Sequence, residues 1–406
     1  MKRFHYAWVI LVACTLITVC NVGLCSTVIS AYLPYIEATG ISDSDGSMMM
    51  SIRNLFAVAG MFLVSKYYRF ISIRNGVTLA TILGGMATLI FSVGGSVPVY
   101  YLGACVFGIA YALGSAIPTS LLLRRWFNQR RGLALGICAS GSGIASIFVP
   151  VLVDTLVQRY GLRAMFWCVA GFIFASAVVS WLLVRNAPEE KGITAYGEPV
   201  VLDVSGQERD GYRLPAAAWG LVVMLMVMAT TTSHAGYNHL SVLMTTSGYG
   251  TDVAARCLSL FGIFLTAGKF IFGAVADRVG TKWTTTGCFV LLTAGLLLPN
   301  LMDGVAMWPC LLACVLLGLG YPPLTVGIAL WAMDVSTAET YEKTLKRMQI
   351  MSSATGIFVS ALPGRYYDAF GNYQGAFRII ALCGALSIPA LWMVYRVRKP
   401  VGAPME

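Results

Sequence analysis

Apolar runs of about 20 residues, the length a helix needs to cross a bilayer, alternate with short polar stretches along nearly the whole chain. Twelve such runs can be drawn, at roughly 7–33, 48–65, 76–95, 98–122, 132–154, 164–184, 216–240, 256–276, 283–301, 305–331, 348–364 and 375–395. The first is too long for a secretory signal peptide and has no small-residue cleavage site before the next polar stretch, so it reads as a retained span. The pattern predicts an all-α membrane protein with twelve transmembrane helices.

The longest polar stretch, RNAPEEKGITAYGEPVVLDVSGQERDGYRLP at 185–215, holds three prolines and mixed charge. It predicts three parts: a six-helix bundle over 1–184, a cytoplasmic linker over 185–215, and a second six-helix bundle over 216–406. Orientation follows from lysine and arginine in short loops. With the N-terminus inside, 21 of the 28 basic residues fall on the cytoplasmic side. Both termini are therefore predicted in the cytoplasm and the chain in the cell (inner) membrane.

Composition supports lipid as the main solvent. The 406 residues are 57% apolar and 11% charged, against about 25% charged in a soluble chain. The net charge of +10 would fit nucleic acid if the basic residues shared one soluble face. They sit instead in short loops between apolar runs, so no nucleic-acid partner is expected. The 11 cysteines lie almost all inside apolar runs and read as small packing residues. No cofactor and no metal site are expected. An enzyme is not expected either, since the three histidines fall in no H-E-x-x-H and there is no G-x-S-x-G. No loop is long enough for a receptor's signalling domain.

The two halves echo each other. Pro150, then Tyr160-Gly161 and Phe166, match Pro363, then Phe370-Gly371 and Phe377, half the chain away. Transporters are often built from such repeats, with the substrate site where the repeats meet. After the eighth run stands Gly273-Ala-Val-Ala-Asp277-Arg278-Val-Gly280-Thr-Lys282. This is similar to the G-x-x-x-D-R-x-G-x-K/R signature of the major facilitator superfamily, which implies the major facilitator fold. Asp277 and Arg278 would pair with neighbouring helix ends and gate the inner side. The corresponding turn of the first half, Gly60 to Arg74, lacks the aspartate. The stretch Arg124-Arg-Trp126-Phe127-Asn-Gln-Arg130-Arg131-Gly132-Leu-Ala-Leu-Gly136 resembles the monocarboxylate transporter and oxalate–formate exchanger branch. Tyr6-Ala-Trp8-Val and Tyr367-Asp368 with Gly371-Asn-Tyr373 resemble it too. Arg130 and Arg131 join the gating set.

Two cations lie inside spans, where charge is costly and usually functional. Lys269 stands eight residues before Asp277, about 12 Å from the inner helix end. Arg53 stands five residues into the second run, about 8 Å from its outer end, where snorkelling to the interface competes with function. Counted from Gly60 and Gly273, the two charges are predicted on similar faces of repeat-related helices. No span carries a carboxylate near its middle, so an anionic substrate is the expected counter-ion. The resembling branch binds a substrate carboxylate through an arginine at the place of Lys269; lysine keeps the charge and loses the bidentate fork. Monocarboxylate carriers add an aspartate one turn earlier, where this chain has Leu265. The oxalate exchanger has a lysine in its eleventh span, and 348–364 has no basic residue. Tyr32, Tyr111, Tyr321, His234 and Asn238 are further candidate ligands, with histidine able to carry a proton; interfacial anchoring is the rival role for the tyrosines.

The sequence thus predicts a monomeric secondary transporter working by alternating access. It would move a small organic anion, a monocarboxylate or short dicarboxylate, by symport with protons or by anion exchange. Export of an unrelated hydrophobic solute is the alternative.

Overall fold

The computed structural model describes residues 5–27, 32, 35–36, 39–41, 43–197, 212–236, 239–359 and 362–400. The chain separates into two compact units, residues 1–199 and 200–406. Among the described residues, nine helices are long and apolar enough to cross a membrane, or ten if one bent pair counts as a single span.

In the first unit α1 covers Ala7–Thr18 and runs on as a π-helical stretch, Val19–Thr27. Then come α2 (Asp43–Phe70), α3 (Ile73–Val93), α4 (Val97–Gly114) and α5 (Ala116–Trp126). The last, α6, covers Arg131–Leu183, with non-helical backbone at Gly161. Its 53 residues are more than two membrane crossings, since one needs about 20. The fifth apolar run therefore continues as helix to Tyr160, and the sixth begins at Leu162. In the second unit α7 covers Trp219–Thr230 and again runs into a π-helical stretch, Thr231–Ala235. Next are α8 (Leu240–Thr246), α9 (Thr251–Val279), α10 (Thr281–Leu297), α11 (Trp308–Gly320) and α12 (Gly327–Asp334). Finally α13 (Tyr341–Val359), α14 (Leu362–Phe370) and α15 (Gln374–Val397) close the unit. A short strand β1 (Tyr212–Arg213) pairs antiparallel with β2 (Lys399–Pro400).

Each unit repeats one packing scheme. In the first, α2 packs on α4, α3 on both α4 and α6, and α1 on α6. In the second, α9 packs on α11, α10 on both α11 and α15, and α7 on α13. The matched motifs do matched work. Gly161 and Gly371 both hold positive φ, 83° and 70°, where a side chain is strained. Each stands at the break between consecutive helices. Phe166 and Phe377, just beyond, are fully buried and anchor the returning helix. In the first unit Phe166 lies beside Tyr32 and Phe91, ring centres 5.6 and 5.7 Å away.

The segment 185–197 is held by the first unit. Tyr196 donates its N–H to the Trp126 carbonyl and accepts from the N–H groups of Asn128 and Gln129. Its ring packs among His5, Trp8 and Phe127. Trp126 Nε1 donates to the Arg185 carbonyl at 3.0 Å.

Candidate functional site

The register of the two units places the candidates. Gly108 on α4 lies against the Arg53–Ala57 backbone of α2, and a methyl group there would collide with the Arg53 carbonyl. Gly318 on α11 lies in the same way against the Phe261–Leu265 stretch of α9. Arg53 therefore corresponds to Phe261, and Tyr111 to Tyr321. In the first unit the Arg53 guanidinium sits 4.6 Å from the centre of the Tyr111 ring. In the second, the rings of Phe261 and Tyr321 meet edge to face at 6.0 Å.

This register corrects one expectation. Lys269 corresponds to Met61, more than two turns beyond Arg53, so the two charges do not occupy matching faces. Counting from Gly60 and Gly273 paired the wrong glycines; the close-packed pair Gly108 and Gly318 matches Gly60 to Gly268, and each of these lies against the next turn of the same partner helix.

Arg53 is 8% exposed and lies deeper than the run drawn from Met48 implies. Helix α2 starts at Asp43, which puts Arg53 about 15 Å along it. Nη1 bonds the Asn54 side-chain oxygen, while Nε and Nη2 are buried with no hydrogen-bond partner among the described residues. A buried guanidinium with vacant donors is expensive, and its fixed fork matches a carboxylate. The Tyr32 hydroxyl, fully buried, also has no partner among the described residues. Cys25, from the π-helical stretch, is within electrostatic reach of both Arg53 and Tyr32.

Lys269 is 2% exposed, ten residues before the end of α9. Tyr321 sits between Phe261 and His234, the His234 ring 6.3 Å away. His234 belongs to the π-helical stretch after α7. Asn238 lies outside the described residues. The structure thus joins Arg53 with Tyr111, and Tyr321 with His234.

The gating candidates are near the helix ends. Asp277 and Arg278 are exposed in the last turn of α9, before the chain turns at Gly280. Arg131 Nε donates to the Phe127 carbonyl at 2.7 Å, bracing the start of α6. Arg130 takes a left-handed backbone, φ 59°, at the turn that carries the docked 185–197 segment.

Asn21 was not among the sequence candidates. It is fully buried in the first π-helical stretch, donates to Thr81 Oγ1 at 2.8 Å, and leaves its own oxygen without a partner among the described residues. In the second unit Ser233 and Thr293 have buried hydroxyls with no partner among the described residues. The legible signal was polar residues clustered inside an apolar run, CNVGLCST and TTTSHAG. Single π-helical turns inside α-helices are often found at functional sites.

Comparison with known proteins agrees with this architecture. The family model of the Major Facilitator Superfamily matches residues 14–256 and 221–405. Monocarboxylate transporter 12 of Mus musculus is 24% identical, over 93% of this chain and 82% of its own length. An MFS-type transporter of Gibberella moniliformis is 25% identical over 68% of this chain, which spans 66% of that protein. A "Probable sugar efflux transporter" of Helicobacter pylori is 23% identical over 71% of this chain and 65% of its own. The solved proton:xylose symporter XylE superposes with a TM-score of 0.73 at 14% identity, covering 96% of each chain. The family model spans both units and the solved fold covers almost the whole chain. This chain belongs to the Major Facilitator Superfamily, as a multi-pass membrane transporter of a small molecule.

Proposed function

We propose that this transporter moves a small organic anion, a monocarboxylate or short dicarboxylate, by alternating access. The observation that carries the reading is Arg53, a buried guanidinium with two donors that no described residue engages. Lys269, buried in the second unit, is the main counter-ion, and Arg53 is a second positive charge. Tyr111 holds the guanidinium against its ring face, and Tyr32, Tyr321 and His234 supply polar neighbours. Asn238 stays in this set from sequence. The similarity to a protein named monocarboxylate transporter supports the same substrate class. Coupling is to protons or to a counter-anion, and the protein acts as a monomer.

The topology belongs to the same proposal: twelve helices in two six-helix bundles, 1–184 and 216–406, with 185–215 between them and both termini cytoplasmic. Asp277, Arg278, Arg130 and Arg131 then lie at the inner gate. A cysteine replacing Gly192 reacts only with membrane-crossing reagents, and one replacing Asp43 reacts from outside. Outside labelling at Gly192 reverses the orientation.

A neutral sugar is the second reading, because one relative is named a sugar efflux transporter. Proteoliposome uptake of lactate, pyruvate, formate, oxalate, acetate and xylose, with and without a pH gradient, separates the two. The proposal expects carboxylate uptake and no xylose uptake. Xylose uptake with no carboxylate uptake overturns it.

A further inference from the structure

The corner where α10 begins and α15 ends holds a groove of about 610 Å³. Its apolar wall is Ile388, Pro389, Trp392 and Met393, and its cations are Lys282 and Arg396. Lys282 Nζ lies 3.8 Å from the centre of the Trp392 ring and 5.7 Å from that of Trp283. The two indoles meet edge to face at 5.0 Å, and Trp392 Nε1 is tied to Thr286 Oγ1 at 3.1 Å. Trp283 and Met393 are exposed, as are Leu382 and Leu386 farther along α15. Paired indoles below a lysine mark the level where a bilayer's headgroups begin.

Among the described residues neither Lys282 nor Arg396 forms an ion pair. Asp334, which Tyr395 of the groove lining contacts, is engaged elsewhere: its carboxylate accepts from the Tyr395 hydroxyl at 2.5 Å, and its backbone carbonyl accepts from Arg398 at 3.0 Å. The matching corner of the first unit is closed. There Arg74 lies 4.4 Å over the Trp181 ring and donates Nε to the Trp181 carbonyl at 2.8 Å. The second unit has the same cation-on-indole arrangement, but among the described residues Lys282 and Arg396 make no such carbonyl bond, and a groove with apolar walls lies beside them.

We infer that this corner binds one anionic phospholipid, its phosphate between Lys282 and Arg396 and the start of an acyl chain along Ile388, Pro389 and Met393. Charge complementarity selects the occupant: two cations with no acidic partner among the described residues attract an anionic headgroup, as basic pockets between helices at a membrane surface do. The volume suits a ligand site, which commonly spans about 300–1,000 Å³. This site is separate from Arg53 and Lys269, and its test does not depend on what is transported.

The test is native mass spectrometry of the full-length protein in detergent, titrated with phosphatidylglycerol, phosphatidylcholine or inorganic phosphate. One phosphatidylglycerol is retained in preference to phosphatidylcholine, and phosphate at equal concentration does not displace it. Each surface cation contributes about fivefold, so Lys282→Gln with Arg396→Gln weakens retention about 30-fold. Ile388→Trp fills the groove with both charges kept and also loses the lipid, whereas Lys282→Arg keeps it. Each variant is compared as a monodisperse peak. Equal retention of phosphatidylcholine, displacement by phosphate, or unchanged retention by the double variant or by Ile388→Trp overturns the inference.

Discussion

The two units share a scaffold and differ where chemistry would be done. At Gly108 and Gly318 helices meet backbone to backbone, and each contact carries a residue above a tyrosine. In the first unit that residue is Arg53 over Tyr111. In the second it is Phe261 beside Tyr321, and the charge has moved on to Lys269. The glycine seats and turns are common because packing demands them in any cargo carrier. Side chains placed on those seats are free to diverge, so differences between the units point to function more sharply than their similarities do.

The largest effect should follow from removing the second unit's charge. Lys269→Gln is expected to lower carboxylate uptake about 100-fold, since truncating one partner of a buried charge pair costs about 3 kcal/mol. Size-exclusion profiles in detergent should stay monodisperse, which separates this loss from misfolding. Arg53→Gln should cost less, about tenfold in uptake, the value of one hydrogen bond to a charged group. If Arg53→Gln is the more damaging of the two, the roles of the units are reversed.

Smaller changes sharpen the comparison. Tyr111→Leu removes the ring face under Arg53 and should weaken substrate affinity about fivefold, as a cation–π contact of about 1 kcal/mol requires. Tyr111→Phe keeps a ring and should lose less. An equal loss in both assigns the work to the hydroxyl. The smallest effects should be matched between units. Gly161→Ala and Gly371→Ala each force a side chain into left-handed backbone and should cost about 1–2 kcal/mol of stability. Thermal unfolding in detergent would show a similar drop for both, and a drop in only one would break the correspondence of the turns.

Much of the fold was legible because bilayer thickness dictates the length of an apolar run. The starts of α3, α10 and α15 fall within three residues of the runs drawn from sequence. The Pro-to-Phe repeat around Gly161 and Gly371 was readable because a break between helices needs the same chemistry twice. Breaks within spans were not readable. The bend between α11 and α12, 40°, and the break at Ser115 depend on packing around Pro322, Pro323 and Pro118. The true start of α2 was missed because DSDGS looks like a loop but continues the helix, which hid the depth of Arg53. The docking of Tyr196 and the β1–β2 pair involve backbone partners far apart in sequence, which a local pattern does not encode. At the candidate site the two cations were legible as rare charges in apolar runs. Asn21 carried a weaker signal, the polar cluster CNVGLCST, which does not single it out until its buried oxygen is seen without a partner among the described residues.

The central claim is that Lys269 holds the substrate by its negative charge. Equilibrium binding of a radiolabelled carboxylate to purified protein, competed with the same carboxylate and with its neutral amide, tests it most directly. The wild type should be competed by the carboxylate and not by the amide, Lys269→Arg should retain part of the binding, and Lys269→Gln should show none. Competition by the amide at the same concentration, or unchanged binding in Lys269→Gln, would contradict it.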